Sequence, residues 1–457
     1  MSGNSPAETS LWFGHLMSET GWRSRVRVTI VGGRISELSE GVEPDARDER
    51  HAIGLPGLAN LHSHAFQRAM AGLTEWRAEV ADSFWSWRDA MYRFLDRLGP
   101  DELQAIAALA YMEMLETGFT RVGEFHYVHN APDGRSYDNP AEMAARVVAA
   151  ARQTGIGMTL LPVFYAHADF GGQAPAAGQR RFITDLDGFA RLHEACTKLT
   201  AFDDALTGIA PHSLRAVTAG EMAALSALGA SGPIHIHVAE QVREVKSSLA
   251  FYGARPVDWL LDTCPVGDNW CLVHATHMTP AETGRLAASG AVAGLCPITE
   301  ANLGDGLFPA RDFLQAGGRF GIGSDSLVQI SAAEELKLLE YGQRLAHRGR
   351  NLLASEAVKS TGSRLYRAAV SGGAQALGVR GHLEVGMPAD IVTLFGDHPN
   401  FCGKRGDELL DAYIFAGSAG AIDGVWRYGR KCVDKGRHID RARIVGDYRA
   451  TMEKMLS

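Results

Sequence analysis

His62 and His64 stand two residues apart at the end of an apolar run, GLANLHSH. In a β-strand, side chains two apart point to the same side, so both imidazoles would face one way. The pair alone suits two ordinary polar residues at a strand end as well as two metal ligands. Three later runs add to it. PIHIHVAE offers His235 and His237 on one face with Glu240 just beyond, NWCLVHATH offers His274 and His277, and RFGIGSDS places Asp325 after glycines. Three neutral imidazoles and one carboxylate suit a borderline divalent ion such as zinc, with a position left for water. A structural thiolate site is excluded, because Cys196, Cys264, Cys271, Cys296, Cys402 and Cys432 are scattered with no C-x-x-C pair.

These residues need a frame that brings distant strand ends together. Short apolar runs recur at 57–64, 120–127, 157–165, 206–213, 233–240, 269–277, 291–299 and 319–326. Helical patterns lie between them, including DELQAIAALAYMEMLETG and AEMAARVVAAARQTG, the second closed by a glycine stop. Strands alternating with helices predict a parallel sheet, and eight strands close a barrel. The His62–Asp325 span is close to the roughly 250 residues of a typical (β/α)8 barrel. A doubly wound open sheet is the alternative, since periodicity alone does not show closure. In a barrel every candidate ligand falls at the C-terminal mouth, where side chains converge.

The two ends of the chain have another texture. RVRVTIVGGRISEL alternates around Gly32-Gly33, a hairpin signal, and HLEVGMPADIVTLF and AIDGVWRYGRKCVDKG look similar near the C-terminus. Residues 1–57 and 381–457 are expected to form a small β-sandwich domain, with IDRARIVGDYRATMEKML as a final helix, around a 58–380 barrel. Hydrophobic residues at 46% and charged residues at 21% fit a well-cored soluble protein. With 45 basic against 53 acidic residues, net −8, a general nucleic-acid binder is not expected. The N-terminus lacks a basic start followed by an apolar run, and no stretch approaches the roughly 20 apolar residues of a membrane span. Unpaired cysteines and the absence of a leader point to the cytoplasm.

The set His62, His64, His237, His274 and Asp325, entered through PGLANLHSH and closed by LEVGMPADIV, resembles the amidohydrolase superfamily over nearly the whole chain. The resemblance implies His237 rather than His235 as the strand-five ligand, and His274 rather than His277 on strand six. Strand four ends IAPHSLR, without the lysine that bridges two metals in many members, and the H-x-x-E spacing to Glu240 is similar to the mononuclear deaminases. One divalent ion per subunit, most readily Zn2+, is therefore expected. Longer strings (NLHSHAFQRAMAGLTE, SFWSWRDAMYRF, GEFHYVHN, PHSLRAV, HIHVAEQ and EELKLLEYGQRL) resemble the formimidoylglutamate deiminases.

That resemblance implies hydrolysis of a formimino group on a small dianion, N-formimino-L-glutamate, by a metal-activated water, as a homodimer, with no nucleic acid or membrane involved. Asp325 would ligate the metal and take the water's proton, His274 would hold the attacking oxygen, and Glu240 would protonate the departing nitrogen. Arg88 and Arg215 are the candidate carboxylate anchors, because a guanidinium fork grips a carboxylate through two bonds. Gln67, Tyr127 and His212 match positions that contact substrate in the family. On the residues alone, Arg88 also reads as a surface ion pair, Tyr127 as packing and Gln67 as a helix start. The aromatic segment 76–94 covers the pocket or forms a subunit interface. His51, His167, His193 and His398 read as surface or structural. Leu327 departs from a polar residue of the family pattern and bears on substrate fit. Rival readings are a cyclic-base deaminase such as one acting on guanine, and a non-catalytic metal-binding scaffold.

Overall fold

The computed structural model describes residues 8–76, 84–417 and 420–457. The first seven residues of the N-terminal segment, and 77–83 of the aromatic segment, lie outside the described residues.

Four strands precede the barrel: β1 (Glu8–Ser18), β2 (Gly21–Val31), β3 (Arg34–Glu40) and β4 (Glu49–Pro56). The barrel strands are β5 (Leu58–Ser63), β6 (Phe119–His126), β7 (Gly157–Phe164), β8 (Leu206–Thr207), β9 (Ala210–Pro211), β10 (Ile234–Val238), β11 (Trp270–His274), β12 (Val292–Leu295) and β13 (Arg319–Ile322). β8 and β9 are two pieces of the run expected as one fourth strand; both pair with β7 in parallel. The other neighbours run β10-β11-β12-β13-β5-β6-β7, and parallel bridges Ile209–Ile234 and Ser213–His237 join the fourth run to β10. The sheet therefore closes, as a barrel requires. β5, β6, β7 and β10 are buried at every position. Strands covered on both faces read as continuous apolar runs rather than alternating ones.

The helices between them begin and end where local chemistry dictates. The one over Pro100–Glu116 starts with proline in its first turn and Asp101 and Glu102 beside its positive end. The one over Glu142–Thr154 stops at Gly155, whose φ of 79° satisfies the left-handed cap.

β14 (Ile391–Leu394), β15 (Ile422–Arg427), β16 (Arg430–Asp434) and β17 (Arg437–His438) complete a second sheet, ordered β17-β16-β15-β14-β4-β1-β2-β3. Its pairings are antiparallel except β1 with β4. Side chains of β1, β2 and β3 share a buried cluster with Ile391 and Trp426 from the C-terminal strands. The β2–β3 turn is Gly32-Gly33, with φ of 58° and 82°, the two positive values a tight hairpin demands. The final helix spans Arg441–Leu456. No helix among the described residues is long and apolar enough to cross a membrane.

The helix Thr361–Ala376 lies directly on the barrel, and glycines permit it. A Cβ at Gly372 would sit 1.9 Å from the Phe320 carbonyl oxygen of β13. Alanine is the better helix former by about 1 kcal/mol, but here backbone would have to move, and overpacking costs about 1–3 kcal/mol. Gly372→Ala is thus expected to lower the urea midpoint, and a raised midpoint would show that the helix can lift off without cost.

Candidate active site

The strand ends converge as a barrel mouth should. One ligand atom each from His62, His64, His237 and Asp325 lies within 4.8 Å of the others. His62 lies near the end of β5 and His64 just past it, His237 lies in β10, and Asp325 follows β13, tied by its own N–H to the His62 carbonyl at 3.0 Å. His235, two residues earlier, is fully buried below and bonds through Nε2 to the Ala376 carbonyl at 2.7 Å. It is a packed imidazole, apart from the cluster.

Two backbone carbonyls settle where the protons are. His64 Nδ1 is 3.0 Å from the Phe125 carbonyl, and His237 Nδ1 is 2.9 Å from the His212 carbonyl. A carbonyl only accepts, so each Nδ1 carries the proton and each Nε2 presents a lone pair. Yet His64 Nε2 lies 3.2 Å from Asp325 Oδ1, and His237 Nε2 lies 3.1 Å from His62 Nε2. The His64 lone pair and the carboxylate it faces repel unless a cation sits between them, and His62 Nε2 stands between His237 and Asp325. Burial drives the His62 imidazole down to about 3 and the His237 imidazole well below its ordinary value, so both are neutral. Neutral imidazoles and a carboxylate are the ligand set of a divalent ion.

Beside the cluster sits a catalytic-looking trio. His274 Nε2 lies 3.7 Å from Glu240 Oε1 and 3.8 Å from Asp325 Oδ2, while its Nδ1 is 3.3 Å from Glu300 Oε1. Burial works against charge on His274, but the Glu240, Glu300 and Asp325 carboxylates around it raise it to about 10. Burial pushes Glu240 above the usual carboxylate range. Glu300, which also accepts from the Cys296 N–H at 3.0 Å, was not singled out from the sequence. The available signal was a carboxylate just past strand seven, a strand end otherwise without an assigned residue. His277 is half-buried, and its N–H donates to the Ala239 carbonyl at 3.0 Å as part of the loop.

Backbone strain gathers at the same strand ends. Ala239, His274, Ala275, Asp325 and Leu327 all have positive φ, between 43° and 67°. Such conformations cost non-glycine residues energy and persist where surrounding bonds impose them. Here the Ala275 N–H donates to Val238 and the Leu327 N–H to Ser324. Leu327 is fully buried and is not among the pocket-lining residues, so its effect on substrate fit is at most indirect.

Above the cluster opens a pocket of about 570 Å³. Gln67, Arg88, Tyr127, His212 and Arg215 all line it, together with Glu240, His274 and Asp325. Gln67 donates to the Tyr127 hydroxyl at 2.8 Å, which leaves its own carbonyl oxygen buried and unpaired. The Nε of Arg88 and of Arg215 is likewise buried with no hydrogen-bond partner among the described residues. Burial opposes charge on Arg215, but the nearby Glu244 and Glu240 hold it in the cationic form. From the aromatic segment, the helix Phe84–Leu95 sends Phe84, Trp87 and Tyr92 into the pocket wall, whereas Trp76 is 87% exposed. Tyr165, the last residue of the run 157–165, and Phe182, from a loop, also line the wall and were not singled out from the sequence.

The histidines set aside earlier are elsewhere. His51 bonds to Asp423 at 3.2 Å, His167 pairs with Glu221 at 2.9 Å, and the His398 side chain caps a short helix. None of these, nor His193, lines the pocket.

Comparison with known proteins accords with this geometry. The family model described as "Amidohydrolase family" matches residues 53–432, and "Formimidoylglutamate deiminase HutF, N-terminal domain" matches 15–52. A curated formimidoylglutamate deiminase of Pseudomonas aeruginosa is 49% identical over 427 residues, covering 93% of this chain and 94% of that protein. This chain belongs to the formimidoylglutamate deiminases of the amidohydrolase family. A formimidoylglutamate deiminase family member is a hydrolase acting on a C–N bond. The crystal structure of an amidohydrolase from Brucella melitensis superposes with a TM-score of 0.95 at 49% identity, covering 98% of this chain and 100% of that one. An adenosine deaminase from Xanthomonas campestris with bound zinc shares the fold at a TM-score of 0.82 and 22% identity, over 99% of each chain.

The two strand-five histidines give a direct check on ligation. His237→Ala is expected to abolish stoichiometric binding of divalent metal, measured by elemental analysis after gel filtration, while His235→Ala retains it. Metal loss in the second variant alone would reverse the assignment.

Proposed function

We propose that the enzyme hydrolyses N-formimino-L-glutamate to N-formyl-L-glutamate and ammonia. The observation that carries this reading is a pocket with two half-buried arginines, Arg88 and Arg215, set above a cluster that fits one divalent ion. Two guanidiniums with unpaired Nε–H groups match a substrate with two carboxylates. A flat, uncharged base has no use for both, which disfavours a cyclic-base deaminase despite 26% identity to an 8-oxoguanine deaminase of Pseudomonas aeruginosa. Glu240 and His274 argue against a non-catalytic scaffold, which needs ligands but no proton-handling pair.

His62, His64, His237 and Asp325 would hold the ion, with zinc favoured by the ligand set. When bound, the ion supplies a water activated for attack at neutral pH. Asp325 accepts that water's proton, and His274, beside both Asp325 and Glu240, holds the attacking oxygen towards the formimino carbon. Its Nδ1–H bond to Glu300 keeps the ring in place. Glu240, whose burial favours the protonated form, is placed to give a proton to the imino nitrogen. A C–O bond forms, the bond from carbon to the terminal nitrogen breaks, and ammonia leaves with the proton first held by Asp325, while the proton left on the attacking oxygen passes to Glu240 as the formyl C=O forms. Gln67, Tyr127 and His212 line the substrate side and orient the formimino group. The same reading takes the protein as a cytoplasmic homodimer with neither nucleic acid nor membrane as partner. Its support is the family membership and six cysteines that form no disulfide.

Ammonia release should be measured from N-formimino-L-glutamate and from guanine under identical conditions with the zinc-loaded protein. Turnover of the first alone is expected, and turnover of guanine alone would overturn the assignment. Glu240→Gln should lower kcat by about 10²–10⁴-fold, the usual worth of general acid–base help, with metal content unchanged. Because Glu240 acts as its protonated form and its value is raised, kcat/KM should fall on the alkaline side, at a pH above the ordinary glutamate range. Removing one partner of a charge-assisted bond costs about 1.5–3 kcal/mol. Arg215→Met and Arg88→Met should therefore each raise KM by at least about tenfold.

A further inference from the structure

The helix Phe84–Leu95 carries Arg88 into the pocket, so whatever fixes that helix fixes one anchor. Its C-terminal end is tied to the barrel by a buried arginine. Arg181, 1% exposed, donates through Nη1 to the carbonyls of Leu95 at 2.5 Å and Leu98 at 2.7 Å, and through Nε to Asn130 at 2.9 Å. Next to it, Arg180 pairs with Asp96.

Nearer the N-terminal end the contact is of a different kind. The guanidinium carbon of Arg243 lies 4.5 Å from the centroid of the Trp85 ring, and that of Arg88 lies 4.5 Å from the same ring. Arg88 is also 5.6 Å from the Tyr92 ring. Arg243 belongs to the helix Val242–Tyr252, which follows β10 and Glu240. One indole thus joins an element that follows the first barrel strand to one that follows the fifth, beside the pocket mouth. Among the described residues Arg88 Nε has no hydrogen-bond partner, and the Trp85 and Tyr92 rings help to orient the guanidinium. An aromatic face attracts a guanidinium through its quadrupole and also offsets the repulsion between the two cations that share it.

We infer that Arg243 and Trp85 are positioning residues, holding the Arg88 fork where it receives a substrate carboxylate and so setting affinity for a dicarboxylate. The inference rests on the function proposed above and adds residues outside the pocket wall to its specificity. Neither touches the reacting atoms, so their removal should act on binding and leave chemistry alone.

Steady-state kinetics with N-formimino-L-glutamate tests it. Arg243→Ala is expected to raise KM by about fivefold, the upper size of an exposed cation–π contact, with kcat within twofold. Arg243→Lys, which keeps a cation over the ring, should return KM to within about twofold of the wild type, and Trp85→Leu should reproduce the alanine effect. In an Arg88→Ala background, Arg243→Ala should change KM no further, because the residue it positions is gone. An unchanged KM in Arg243→Ala would overturn the inference. So would the same factor in both backgrounds, the signature of long-range steering of a dianion by charge. An inactive wild type would overturn the substrate reading and this inference together, whereas an active wild type with an indifferent Arg243→Ala would overturn the inference alone.

Discussion

The convergence of buried imidazole nitrogens on a buried carboxylate is the constraint around which this molecule is arranged. His64 and His237 are held by backbone carbonyls with their protons on Nδ1, so their Nε2 lone pairs point inward at the Asp325 carboxylate and at His62. A buried site of that kind is costly without a cation and strongly attractive with one. Everything else preserves this convergence. The carbonyls of Phe125 and His212 belong to the second and fourth strand runs, so histidines from the first and fifth strands are each locked by a neighbouring strand rather than by their own. A rotation of the second or the fourth strand run would unlock a ligand carried by its neighbour.

The barrel supplies that rigidity, and the strained residues at its mouth show where it is spent. Left-handed conformations at His274, Ala275, Ala239, Asp325 and Leu327 turn the chain out of the strands at the points where side chains must aim at one centre. The small sheet and the buried ion pairs joining Arg121 and Arg427 to Asp204 and Asp390 brace the opposite end of the barrel. Charge is sorted within the mouth. Imidazoles that burial keeps neutral form the cluster, carboxylates surround His274, and two arginines line the pocket above.

Much of this was legible in the residues. The eight apolar runs ending in polar residues gave the barrel, because parallel strands buried on both faces have no alternation to confuse the reading. H-x-H in GLANLHSH meant little alone and gained weight only when His237, His274 and Asp325 appeared at later strand ends. What separated His237 from His235 was family resemblance; in the structure the difference is depth, with one imidazole at the mouth and one bonded to the Ala376 carbonyl below. Glu300 escaped notice because no spacing links it to His274; 26 residues of chain separate them and only the fold makes them neighbours. Phe182 and Arg243 escaped for the same reason, since loops and helix starts that meet across a barrel mouth leave no periodic trace. The 57-to-58 boundary between small sheet and barrel rests on the change from alternating to continuous apolar pattern.

The proposed reaction makes the terminal nitrogen of the formimino group, not the glutamate nitrogen, the one that Glu240 protonates and that leaves as ammonia. Product analysis by ¹³C NMR, with substrate labelled at the formimino carbon, reads that choice directly. N-formyl-L-glutamate and ammonia in equal amounts are expected, whereas formamide with free L-glutamate would mean that the other C–N bond breaks and that the acid stands on the wrong side.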